Sequence, residues 1–183
     1  TTGGHGGQGL TKPQKTEEDH LSATRAALVA AALPHVVFDG WSDQTFTQAL
    51  TDSQVDEALG RLACPRGAVD LALAYHRQGD QAMLAQMDRL NLGAMRYSER
   101  VAALVRLRLE VTSDREIVRR GVTFFALPAH AAEGAGAIWQ TCDLIWKALG
   151  DTSGDVNWYS KRAILSAVYS STLLFWLGDT SQD

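Results

Sequence analysis

The chain has 183 residues, 45% of them apolar and 21% charged, an ordinary globular composition that excludes a disordered or fibrous protein. The length suits one domain with a sizeable core, and a net charge of −4 argues against a globally basic nucleic-acid binder. Two cysteines, Cys64 and Cys142, are too few for a zinc site or a disulfide framework and point to a reducing, cytosolic setting.

In chain order, Thr1–Gly9 is glycine-rich and lacks an apolar anchor, so residues 1–15 are expected to be a disordered start or a tag remnant. A first helix is expected over Thr16–Leu33, with Thr16 as cap, Glu17, Glu18 and Asp19 at the positive end of its dipole, and Pro34 ending or kinking it. Phe38–Trp41 reads as a turn. Short helices follow over Asp43–Leu50 and Gln54–Leu62, the second capped by Ser53 with Asp56 three residues on. Cys64-Pro65-Arg66-Gly67 breaks the chain. A helix from Ala68 puts Val69, Ala72, Leu73 and His76 on one face. Gly79 marks a join, after which Met83, Met87 and Leu90 make one stripe.

Ser98–Val111 turns Val101, Leu104, Leu107 and Val111 inward and Glu99, Arg106 and Glu110 outward. Ser113-Asp114-Arg115-Glu116 has the spacing of a capping box for a helix to Ala126. Pro128 fits the first turn of a helix to Leu149, with Ile138, Cys142, Ile145 and Leu149 on one face and Gly150 closing it. The last helix covers Asn157–Leu177. Its apolar run, Ala163–Gly178, is shorter than the roughly 20 residues a membrane span needs and reads as a buried core helix.

The fold class is therefore all-α, with eight to ten helices. Residues 16–66 suit a three-helix head resembling a helix-turn-helix, and 67–183 a larger bundle around an apolar ligand cavity, as in TetR-type regulators. Charge argues against DNA. Val36–Tyr75 carries six acids (Asp39, Asp43, Asp52, Asp56, Glu57, Asp70) against Arg61 and Arg66, where a DNA reader must neutralise several phosphates. No catalytic residue, metal or cofactor is expected. A di-iron bundle needs two Glu-x-x-His pairs, and Glu17–His20 is a single one at a helix start. His76 and His130 read as hydrogen-bonded structural histidines.

Asp155-Val156-Asn157-Trp158-Tyr159-Ser160-Lys161-Arg162 opens the last helix with two adjacent aromatics. Successive helical residues point about 100° apart, so the pair cannot share one core pocket. Two readings stay open: Trp158, Tyr159 and Arg162 as exposed interface anchors, or Trp158 as a plug for the preceding loop with Asp155 or Asn157 as cap.

Asp155–Asp179, with Asn157-Trp158-Tyr159-Ser160-Lys161-Arg162 and Tyr169-Ser170-Ser171-Thr172, resembles the C-terminal signature of a family of coenzyme Q biosynthesis accessory proteins, the ninth-named of that pathway. Cys64-Pro65-Arg66-Gly67-Ala68-Val69-Asp70 is similar to its mid-chain segment, and the likeness runs from Leu28 to Asp183. The resemblance implies a TetR-like fold without DNA binding, whose cavity holds a phospholipid or prenylated quinone intermediate. It also implies a di-iron hydroxylase of ubiquinone synthesis as partner. Interface positions map onto Asp155, Trp158 and Tyr159, with Ile145 from the preceding helix. The family's membrane-touching helix would begin where this sequence stops, at Asp183. With no organelle-targeting start, a bacterial cytoplasmic protein, peripheral on the inner face of the membrane, is expected. Candidates for the cavity wall are Met83, Met87, Leu104, Leu107, Phe124, Phe125, Trp139, Leu165, Val168 and Tyr169. The outer faces of the last two long helices are the expected homodimer surface. A ligand-responsive transcription regulator is the second reading, and a metal-dependent hydroxylase the third.

Overall fold

Eight α-helices and two 3₁₀ turns make up the regular structure of this computed structural model, which describes residues 12–112 and 114–179, with side chains from residue 15 onward. The glycine-rich Thr1–Gly9 segment and Ser113 lie outside the described residues.

Helix α1 (Lys12–Asp39) contains Thr16 rather than being capped by it, and it continues through Pro34. A proline removes one helical donor and crowds the carbonyl four residues back. Both halves of α1 are nonetheless held, because Leu28, Val29, Ala32 and Val36 are buried in one core cluster. Lys15–Asp39 is long and apolar enough to cross a membrane, and 28% of its most apolar stretch is buried inside the protein.

Helix α2 (Asp43–Ser53) is capped by Ser42, whose hydroxyl accepts from the Thr45 amide at 3.2 Å. Gln54 then turns left-handed (φ 56°) and separates α2 from α3 (Glu57–Ala63). Asp56, not Ser53, therefore caps α3, accepting from the Ala58 amide at 3.0 Å. Ser53 instead ends α2 and donates back to the Ala49 carbonyl at 2.6 Å. Arg25 of α1 donates to the Ala63 carbonyl at 2.8 Å and satisfies the C-terminal end of α3.

Helix α4 (Ala68–Gln86) begins after Gly67, whose φ of +60° favours glycine, and runs unbroken past Gly79. The 3₁₀ turns Met87–Arg89 and Leu92–Ala94 lead to α5 (Tyr97–Glu110). Helix α6 (Arg115–Phe125) is capped by Asp114, which accepts from the Glu116 and Ile117 amides. Helix α7 (Ala131–Ala148) starts beyond Pro128, with His130 at its N-cap, and Gly150 turns the chain away at φ +81°. Helix α8 (Val156–Gly178) is capped by Asp155, which accepts from the Asn157 amide at 2.9 Å.

The helices enclose two cores. One joins α1–α3 to the first turns of α4 and to Ile117 of α6. The other joins Met83 of α4, Leu104, Val105 and Leu107 of α5, Cys142 and Ile145 of α7, and Leu165 and Tyr169 of α8. A three-helix head on a larger helical bundle is the TetR-like arrangement expected from the sequence. The reading of residues 163–178 as a buried core helix needs correction. Only one side of α8 is buried, while Ile164, Val168, Leu174 and Phe175 are exposed, because no other described element covers that side.

Candidate functional site

A cavity of about 800 Å³ lies between the two cores, bounded by α4, α5, α6, α7 and α8. Its apolar wall is made by Val118, Val122 and Phe125 of α6, Ile138 and Trp139 of α7, and Leu173 and Leu174 of α8. Leu174 is also exposed, so the cavity opens to solvent beside α8. Two glycines allow the helices this spacing. A Cβ at Gly134 would sit 2.7 Å from the Phe125 Cβ, and one at Gly79 would collide with the Arg108 guanidinium.

Of the ten wall residues expected from the sequence, Phe125, Trp139 and Tyr169 face this cavity. The others lie elsewhere. Met83, Leu104, Leu107 and Leu165 are buried in the second core, and Met87 packs against it. Phe124 stacks on His130 at 4.2 Å, and Val168 is on the exposed side of α8. Helical periodicity separates inside from outside. It does not separate a solid interior from a hollow, because that depends on which neighbour each stripe meets.

One flank of the cavity is polar. Arg108, nearly fully buried, donates from Nε to Asp80 Oδ1 at 2.7 Å, from Nη1 to Thr112 Oγ1 at 2.8 Å, and from Nη2 to the His76 carbonyl at 2.8 Å. Thr141 donates to Asp80 Oδ1 at 2.8 Å. His76 Nε2 lies 2.7 Å from Thr141 Oγ1 and 3.2 Å from the Ala137 carbonyl. A carbonyl only accepts, so Nε2 carries the proton and Nδ1 faces Arg108, an assignment drawn from the hydrogen-bond network. Burial pushes the His76 imidazole down to about 4, so it is neutral at physiological pH. The buried Arg108 charge is thus matched by Asp80 alone, and this flank is electrically balanced.

Sequence reasoning missed Asp80, Arg108 and Thr141. The signal was present. Arg108 sits between Leu107 and Leu109, and Asp80 is four residues after His76 on the same helix face.

At the start of α8 the paired aromatics differ in burial. Trp158 is half-buried, with its ring centroid 5.9 Å from Trp139 and the Arg162 guanidinium 4.3 Å above it. Tyr159 is 62% exposed and also meets Trp139, at 5.1 Å. Two expected docking residues are not at the surface. Ile145 is fully buried in the second core. Arg162 is 1% exposed, donating from Nε to Asp143 at 2.7 Å and from Nη1 to Asp151 at 3.1 Å. It ties α8 to α7 and to the loop between them. Asp155 is exposed but is engaged as the helix cap. Hydrogen bonds from Lys161, Ser153 and Arg162 hold the Asp151 carboxyl well below the usual carboxylate range. Asp143 is partly buried, which raises its pKa, but hydrogen bonds from Lys147 and Arg162 prevail and lower it.

Residues 131–183, which include all of α7 and α8, match the COQ9 family model. The ubiquinone biosynthesis protein coq9 of Schizosaccharomyces pombe is 29% identical over 90% of this chain and 66% of its own length. This chain is similar to COQ9 proteins along most of its length. Two further relatives are similar along most of the chain. The probable coq9 protein of Dictyostelium discoideum is 25% identical over 83% of this chain and 52% of its own. The human COQ9 protein is 25% identical over 91% and 55%. The chain thus spans between half and two thirds of the length of these relatives. All three of these relatives are named as mitochondrial proteins.

The head offers little to a phosphate backbone. Arg61 lies over the Phe46 ring at 4.5 Å, and Arg66 is paired with Asp70 at 2.7 Å and Glu133 at 3.3 Å. Both cysteines are buried and unpaired, and burial pushes each thiol up to about 11. Among the described residues no group of His, Cys, Asp and Glu is placed to hold a metal.

Proposed function

We propose that this protein is a non-catalytic, lipid-binding accessory factor of ubiquinone biosynthesis, which holds a prenylated quinone intermediate or a phospholipid and presents it to a di-iron hydroxylase. The observation that carries the reading is the 800 Å³ cavity with its largely apolar wall. Its size falls within the range of small-molecule sites, and each buried methylene-sized group of a prenyl tail contributes about 0.8 kcal/mol. The names of the relatives supply the pathway. The partner would dock on Tyr159 and the rim of Trp158. Trp139 supports this idea, because one ring forms both cavity wall and backing for Tyr159.

The exposed side of α8 suits a homodimer contact, and the protein would work at a membrane surface, where its ligand resides. A TetR-type regulator fits less well, because Arg25, Arg61 and Arg66 of the head are all engaged internally. The direct test is native mass spectrometry of protein purified without detergent. The reading expects a co-purified isoprenoid or phospholipid that organic extraction removes with the helices intact. Protein that carries no lipid and takes up none from vesicles would refute it.

A further inference from the structure

The cavity has two unlike ends. At one it opens to solvent beside Leu174 of α8. Toward the other it is lined by Trp139 of α7, whose ring packs on Tyr159 at 5.1 Å and on Trp158 at 5.9 Å. Tyr159 and Leu174 are fifteen residues apart on α8, about 22 Å along the helix axis. The wall is thin at the Trp139 end. Tyr159, behind the Trp139 ring, is 62% exposed. Ala135, one turn before Trp139 on α7, lines the cavity while being exposed itself.

The rings at this end are held differently. Trp158 lies under the Arg162 guanidinium at 4.3 Å, and Asp143 and Asp151 fix that guanidinium in place. Trp139 is held by its contacts with the two α8 rings, and only one of those is clamped. Side chains on a helix lean toward its N-terminus, so the Trp139 ring lies over residues 135 and 136. A Cβ at Gly136 would meet nothing within 4 Å. Ala135 thus marks the cavity side of the ring, and Gly136 an open side into which it can turn. Such a turn is a rotamer change and needs no backbone movement.

We propose that Trp139 is a gate between the cavity and the surface at Tyr159. Turned in, it closes the cavity; turned toward Gly136, it opens a second portal there. This rests on the carrier reading and gives the carrier an exit separate from its entrance beside Leu174. A partner that draws Tyr159 toward itself removes the backing of the gate, which ties release to docking.

The test follows a two-isoprene alcohol esterified to anthranilate, a fluorescent probe, as it enters and leaves the full chain in stopped-flow mixing. A gate sets a barrier common to both directions, whereas an ordinary wall contact stabilises only the bound state. Neither Gly136 nor Tyr159 lines the cavity. Gly136→Leu fills the open side next to the ring and should slow association and dissociation together. Tyr159→Ala should speed both by about two- to ten-fold, the range that one aromatic pair sets. Trp139→Ala should speed both as well, each variant being compared at wild-type helix content. If Gly136→Leu and Tyr159→Ala keep wild-type rates and Trp139→Ala speeds dissociation alone, Trp139 is a plain wall residue. The gate then falls while the carrier reading stands. Wild-type protein that takes up no probe overturns both.

Discussion

His76 is held neutral by burial between α4, α5 and α7, against the pull of the nearby Asp80 carboxylate, 3.8 Å away. Its imidazole is pushed down from an ordinary 6.5 to about 4, so below pH 6.5 the unfolded chain binds a proton that the folded chain refuses. Stability contributed by this residue is complete above pH 6.5 and drains away as the pH falls toward 4. Thermal melts should show wild-type protein losing up to about 3 kcal/mol across that window from this group. The His76→Gln variant, which keeps a donor toward Thr141, should have a flatter profile. Parallel profiles for the two proteins would show that His76 charges freely in the fold. Arg162 gives the converse lesson. It looked like a surface anchor by residue type, yet two carboxylates on α7 and the following loop draw it inside.

Gly79 shows at the level of a single helix why α4 does not break where the sequence suggested a join. The glycine is there for approach, since a Cβ would meet an Arg108 guanidinium clamped by Asp80, Thr112 and the His76 carbonyl. Gly79→Ala is expected to cost about 1–3 kcal/mol, read from denaturant unfolding, because the clamped side chain cannot move aside cheaply. Gly136, in the exposed middle of α7, has nothing within 4 Å of an added Cβ. Gly136→Ala should leave stability unchanged or raise it by up to about 1 kcal/mol, through helix propensity alone. Equal effects at both sites would remove the close-packing account of Gly79. Both glycines look alike in sequence, and only the neighbouring helix distinguishes them.

At the scale of the whole molecule, α8 divides its labour. One side closes the second core and the cavity, through Leu165, Tyr169 and Leu173. The other presents Ile164, Val168 and Phe175, the last 76% exposed, along a single stripe. Tyr159 stands apart from that stripe at the helix start. If the stripe is the dimer contact and Tyr159 the partner contact, the two are separable. Ile164→Asp with Phe175→Asp should shift sedimentation from dimer to monomer, while Tyr159→Ala should leave the oligomer unchanged and weaken hydroxylase capture about ten-fold, as interface aromatics do. Loss of hydroxylase capture in the stripe variant but not in Tyr159→Ala would reverse the assignment.

What the sequence determined by itself is local. Helix stripes, the acidity of the head and the aromatic motif at the start of α8 are each set within a few residues along the chain. Periodicity and capping chemistry act over that range. Ser53 and Pro128 misled because a left-handed residue or a tight turn moved the helix start by a few positions, and Pro34 because tertiary burial outweighed a local breaker. The tertiary structure alone decided that a hollow lies between two cores, that Asp80 meets Arg108 and Thr141, and that three of ten apolar candidates face the cavity. Those contacts join α4 to α5 and α7, far apart along the chain, and no periodicity within one helix records which face of another it will meet.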